Sequence, residues 1–160
     1  MNDLPEYHYG GARTMVYLQS QYLAQFLAVW RQAKAVNLPL PETEDPSYVS
    51  LETLLRHVLS AAGNYMIWMA RQLELPDPGI RPVPDLAVIA AEADAHVQHL
   101  RQQWRTPLAD VPEERFGDQA YRSNWGMMYY IDSMLEHAVM HPLMHRLQLE
   151  ELLAEQESNG

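Results

Sequence analysis

The sequence predicts an all-α fold: a four-helix bundle with a long crossover connection and an irregular insert before the last helix. Four segments carry apolar residues at a 3.6-residue period, Pro- or Gly-bearing stretches separate them, and no strand-type alternation of comparable length competes. With 160 residues the chain reads as one domain over 1–160, since domains commonly hold about 100–200 residues. Apolar residues make up 48% and charged residues 20%, enough to fill a core and too little charge for disorder.

The first helix is expected over about residues 14–35, with Met15, Leu18, Tyr22, Phe26, Leu27 and Trp30 on one side. No charge falls between Arg13 and Arg31, but Gln19, Ser20, Gln21 and Gln25 interrupt the stretch, which makes it a core helix and not a membrane span. The second, about residues 50–73, aligns Leu51, Leu54, Leu55, Val58, Ala62, Met66 and Met69 behind Ser50 as N-cap. The third follows Asp85, a residue suited to capping orphan N–H groups, and aligns Leu86, Ile89, Ala93, Val97, Leu100 and Trp104. The fourth, about residues 127–154, aligns Ile131, Met134, Ala138, His141, His145, Leu149 and Leu152, so two histidines stand in its apolar stripe. The connection over 36–48 is long enough to cross the bundle, and the proline-rich linker over 73–85 should be extended. The stretch over 107–125 is long for a structureless connection, so a short hairpin or helical turn is expected there, as a wall or lid over a site.

Eleven Lys plus Arg against 21 Asp plus Glu give a formal charge of −10, the wrong sign for tracking phosphates, and nucleic acid is not an expected partner. Neither is a membrane. The first eight residues show no basic region followed by an apolar one, and a cytoplasmic location is the expectation. Cysteine is absent, which excludes disulfides, thiolate ligands and a nucleophilic thiol belonging to the chain. Any metal must sit on His, Asp or Glu.

Seven histidines in 160 residues are present. Chance alone gives about 0.3 pairs at i,i+4, the spacing that puts two side chains on one helix face. The fourth helix holds two such pairs, His137/His141 and His141/His145. His137 and His145 would stand about 12 Å apart along a straight helix, too far for one ion, so a single pair must be chosen. His141 and His145 lie nearest the centre of the stripe and are the chosen ligands, with His137 as a cavity-wall or supporting residue. A third ligand should come from a facing helix, and His57, among Leu54, Leu55, Val58 and Ala62, is the best placed. A lone histidine is ordinarily a hydrogen-bonded core residue. Three buried together without a common partner would leave several ring nitrogens unsatisfied, and this favours a shared ion. His96 and His99 read mainly as the edge of the third helix. Pro142, following His141, should kink the helix, and it occupies the place where H-E-x-x-H peptidases carry their catalytic Glu, so a peptidase of that kind is disfavoured.

Leu-Leu-Arg-His57-Val-Leu-Ser-Ala-Ala-Gly-Asn-Tyr in the second helix and His141-Pro-Leu-Met-His145-Arg-Leu-Gln-Leu in the last resemble the DinB-like bundle family. That family includes YfiT-type metal-dependent hydrolases and bacillithiol- and mycothiol-dependent transferases, and its terminal H-x-x-x-H-R-x-Q element is similar to the second motif. The resemblance implies a nickel, zinc or other divalent ion on His57, His141 and His145, and a homodimer. Three protein nitrogens leave room on an ion for water or substrate, the open arrangement of a catalytic site. Such an ion lowers the pKa of a bound water or thiol. The expected function is therefore metal-dependent hydrolysis, or transfer of an external low-molecular-weight thiol cosubstrate onto a small-molecule electrophile. Asn64, Tyr65, Trp68 and Glu136 are candidate cavity residues, none with an assigned proton-transfer role. A non-enzymatic metal- or ligand-binding bundle and a bundle with structural histidines remain the alternatives.

Overall fold

In a computed structural model, residues 4–159 are described. Four helices, α1 (Gly10–Ala35), α2 (Leu51–Gln72), α3 (Ile89–Gln103) and α4 (Ile131–Asn159), form the all-α bundle that the apolar periodicity predicts. Short 3-10 turns at Pro46–Tyr48 and Glu113–Phe116 punctuate the connections. Strands β1 (Tyr121–Arg122) and β2 (Met128–Tyr129) pair antiparallel as a small hairpin within the insert. Among the described residues no helix is long and apolar enough to cross a membrane.

Side-chain pairings fix the helix directions. Trp30 at the end of α1 donates its indole N–H to the Leu51 carbonyl at the start of α2 (2.6 Å), and Lys34 meets Glu52, so these two helices run antiparallel. Arg31 pairs with Asp94 and Ser20 with Arg101, which makes α3 antiparallel to α1 and hence parallel to α2. His57 meets His145 and Tyr65 meets His137, so α4 is antiparallel to α2 and runs with α1, where Gln25 accepts from Arg146. The order is up, down, down, up. Two parallel neighbours in sequence need a connection that travels the helix length. The linker after α2 supplies it: Arg81 N–H donates to His99 Nε2 and the Pro84 carbonyl accepts from Arg56. The long crossover is thus this proline-rich linker. The 36–50 connection, expected to cross the bundle, instead returns the chain beside the end of α1.

Three boundaries differ from those read in the sequence. Helix α1 begins at Gly10 and not at residue 14, because Gly11 lets the helix start under the Tyr9 ring; a Cβ there would lie 2.4 Å from it. Asp85 starts α3 through its backbone carbonyl, which accepts from Val88 and Ile89 N–H, and no side-chain cap forms; Leu86 lies in the preceding turn, 47% exposed, and outside the buried stripe. Helix α4 starts at Ile131 and not at Met127, since Met127 and Met128 belong to the hairpin and face solvent. Ser50 does cap α2, its hydroxyl accepting from Thr53 N–H at 3.0 Å. The helix continues unbroken through the buried Pro142, whose missing N–H leaves the Ala138 carbonyl without its usual donor.

The core consists of two apolar clusters stacked along the bundle. One gathers Phe26, Trp30, Leu54, Leu55, Val58, Ile89 and Leu149; the other gathers Met66, Met69, Trp104, Phe116, Ile131 and Met134. The buried Trp104 indole donates to the Ala62 carbonyl at 3.1 Å, so its polar atom is satisfied. On α4, His141 and His145 lie between Ala138 of the second cluster and Leu149 of the first, whereas His57 stands beside Leu54, Leu55 and Val58 of the first.

His96, expected at the edge of α3, is 3% exposed, since it shares a face with Ala93 and Leu100. Burial, with His99 and Arg81 nearby, pushes its pKa down to about 4 from the ordinary 6.5. The stability contributed by neutral His96 is therefore present above pH 6.5 and lost as pH falls from there toward 4. His96→Gln should flatten this part of the urea-midpoint profile relative to the parent chain. Parallel profiles for the two proteins would contradict the assignment.

Candidate metal centre

Helix α4 presents His141 and His145 on one face, and antiparallel α2 brings His57 against them. The Nε2 atoms of His57 and His141 lie 3.0 Å apart, and one ring nitrogen from each of the three histidines lies within 4.8 Å of the others. Their ring centroids are 4.7–5.3 Å apart. Metal–nitrogen bonds of about 2.0–2.1 Å place neighbouring ligand nitrogens roughly 3.0–3.4 Å apart. The His57–His141 pair already has that spacing, and the widest span of the trio would have to contract to load an ion. His145 is 3% exposed, whereas His57, read from the sequence as close to the apolar stripe, is exposed. It stands at the rim because position 57 falls on the outer flank of the Leu54, Leu55 and Val58 stripe, and the trio is consequently open to solvent on the α2 side.

Hydrogen bonding fixes the tautomer of His145. Its Nδ1 lies 2.9 Å from Gln148 Oε1 and 3.2 Å from the Tyr48 hydroxyl oxygen, and Tyr48 O–H donates to that same Gln148 oxygen. An amide oxygen can only accept, so His145 Nδ1 carries the proton and Nε2 holds the free lone pair. That buried Nε2 has no hydrogen-bond partner. A lone pair kept dry and unpaired within reach of two other imidazoles fits a cation, and an outer partner that orients the ring is the usual companion of a metal-binding histidine. His141 Nδ1 is also buried without a partner.

Charge favours the same reading. Burial, then the neighbouring imidazoles His145, His57 and His137, push the pKa of His141 down to about 3. Burial and His57 hold His145 at about 4, against opposing contributions from Gln148 and Asp45, and burial lowers His57 as well. All three rings are thus neutral at pH 7, the form in which imidazole binds metal. The Asp45 carboxylate, whose field reaches His57 and His145, accepts from Ser47 N–H at 2.9 Å, and its own pKa is lowered chiefly by its bonds to Ser47.

The remaining predicted residues fall into two groups. His137 packs among Tyr65, Trp125 and Tyr129, with ring centroids 5.3, 5.6 and 5.7 Å away, and its own ring is 6.3 Å from that of His141. Asn64, Tyr65 and Trp68 line a cavity beside His57, and Trp68 also donates to the Arg122 carbonyl at 3.1 Å, tying the hairpin to α2. Glu136 does not join them. Together with His137 it lines an apolar groove between α1 and α4. Sequence reasoning missed Tyr48, Asn124 and Trp125, and it quoted Gln148 only within the H-x-x-x-H-R-x-Q element, without a role. Its place three residues after His145 on one helix face could have assigned that role; Tyr48 and the two hairpin residues had no signal, because loops carry no period.

Compared with protein-family models, with curated proteins and with solved structures, the chain finds no match in any of the three. The DinB-like resemblance therefore rests on the two histidine motifs.

If Gln148 orients His145 for an ion, Gln148→Ala should weaken zinc or nickel binding by about 10–100-fold in a competition titration against a chromophoric chelator. Tyr48→Phe, which keeps the ring and loses only the hydroxyl, should cost less. Affinity unchanged in Gln148→Ala would remove the residue from this role.

Proposed function

We propose that this chain is a divalent-metal-dependent enzyme, with His57, His141 and His145 holding the ion and a small-molecule electrophile as substrate. The observation that carries the proposal is the buried, unpaired Nε2 of His145, held in the acceptor tautomer by Gln148 and placed beside the His57 and His141 rings. Imidazole donors suit zinc and nickel, the two metals favoured here. A bound ion supplies Lewis acidity that makes water, or an external low-molecular-weight thiol, a nucleophile near neutral pH.

The chain's own residues do the rest. Gln148 and Tyr48 hold the His145 ring in one orientation and one tautomer. The apolar residues behind the histidines exclude water from the inner side, and the exposure of His57 leaves the approach on the α2 side. Three neutral donors do not cancel the charge of a dication, which strengthens its pull on an incoming anion. The hairpin residue Trp125 and Tyr65 of α2, packed edge to face, form one wall of that approach.

Protein purified without an affinity tag should contain about one zinc or nickel ion per chain by elemental analysis, and both His57→Ala and His145→Ala should lose it. Unchanged metal in either variant would overturn the ligand assignment. Loaded protein should then turn over an epoxide or chlorinated electrophile, alone or with bacillithiol, mycothiol or glutathione. Stoichiometric metal without turnover would instead identify a metal-binding bundle that is not an enzyme.

A further inference from the structure

The cavity beside His57 has a volume of about 250 Å³ and is lined by Ser60, Asn64, Tyr65, Trp68, Asn124 and Trp125, among others. No Asp, Glu, Lys or Arg contributes to its wall. Its aromatic side is braced on several sides. Trp125 sits 6.3 Å from the Tyr65 ring at 81°, 5.4 Å from Tyr129 and 5.6 Å from His137, and Trp68 is tied to the hairpin backbone. The turn that presents Trp125 is closed by Gly126 N–H donating to the Ser123 carbonyl at 3.0 Å, with Gly126 at φ +91°, in the left-handed region that favours glycine. Rings held in place before a ligand arrives cost little ordering when it binds.

Size and charge narrow the ligand. A cavity of about 150 Å³ takes benzene, so the space here holds one aromatic ring and a short substituent. Aromatic walls alone would also suit a cation. A loaded centre at His57 would repel one, because its three imidazole donors bring no negative charge and the single Asp45 carboxylate, whose field reaches His57 and His145, offsets only part of a dication's charge.

We infer that this cavity selects a monocyclic aromatic compound with a short anionic head, a carboxylate or thiolate, its ring against Tyr65 and Trp125 and its head toward His57. The inference rests on the metal-centre reading above and names the substrate class of that site.

The test uses the full chain, purified without a tag, loaded with Co(II) and assayed for cobalt content before each titration. Acetate, cyclohexylacetate, phenylacetate and benzylammonium are compared by calorimetry. Phenylacetate should bind about tenfold or more tighter than acetate and severalfold tighter than cyclohexylacetate, with benzylammonium weakest. Trp125 is half-exposed at the hairpin tip, so Trp125→Leu should keep its cobalt and lose the preference for phenylacetate, while Trp125→Phe should retain most of it. Equal binding of phenylacetate and cyclohexylacetate, tighter binding of benzylammonium, or an unaltered preference in Trp125→Leu would overturn the inference and leave the metal reading standing. Loss of cobalt in Trp125→Leu would make the residue a support of the centre and equally overturn it. A parent chain that takes up no cobalt would overturn both.

Discussion

Burying imidazole nitrogens where α2 packs against α4 is the constraint that the rest of the site accommodates. A neutral imidazole has one donor and one acceptor, and each that leaves water must find a partner or cost about 1–3 kcal/mol. His145 meets half of this demand within the protein, through Gln148 and Tyr48, and leaves the other half facing His57 and His141. The connection that carries Tyr48 is therefore part of the site's polar accounting and more than a link between α1 and α2. The apolar residues behind the histidines keep water from meeting the same demand on the inner side.

The bundle and the pairing of His57 with His141 and His145 were legible because both rest on one period. Residues such as Leu54, Val58, Ala62, Ile131, Met134 and Ala138 repeat at helical spacing and are buried, and histidines placed in or beside those stripes were carried to the same interface. Helix starts were less legible, for local reasons. At Gly10 the helix begins on glycines, whose low propensity reads as a loop, although the missing Cβ at Gly11 is what makes room for Tyr9. At Met127 and Met128 the apolar phase of α4 extends by coincidence into a hairpin whose methionines face solvent.

What surrounds the histidines was hardly legible at all. Tyr48, Asn124 and Trp125 reach the site from irregular segments, and their placement depends on how the chain returns over distances that no periodic pattern encodes. His96 illustrates the opposite case. A polar side chain on a helix flank reads as a surface residue, but the rotation shared with Ala93 and Leu100 buries it, and it remains neutral in consequence. Net charge and composition could not rank substrates, because the cavity wall is made of uncharged side chains.

The parallel pairing of α1 with α4 bears on how the molecule comes into being. The first and last helices form the most extensive helix contact, and the two ring nitrogens at closest approach belong to residues 84 positions apart. Contacts of such high sequence separation are made late, after their loop-closure entropy has been met, which slows folding relative to a bundle of sequential hairpins. A ribosome-bound chain that has not yet released α4 has only His57 of the trio, and a single imidazole is a weak ligand by itself. On the metal-centre reading, loading of an ion would wait until α4 has been made and has packed against α2.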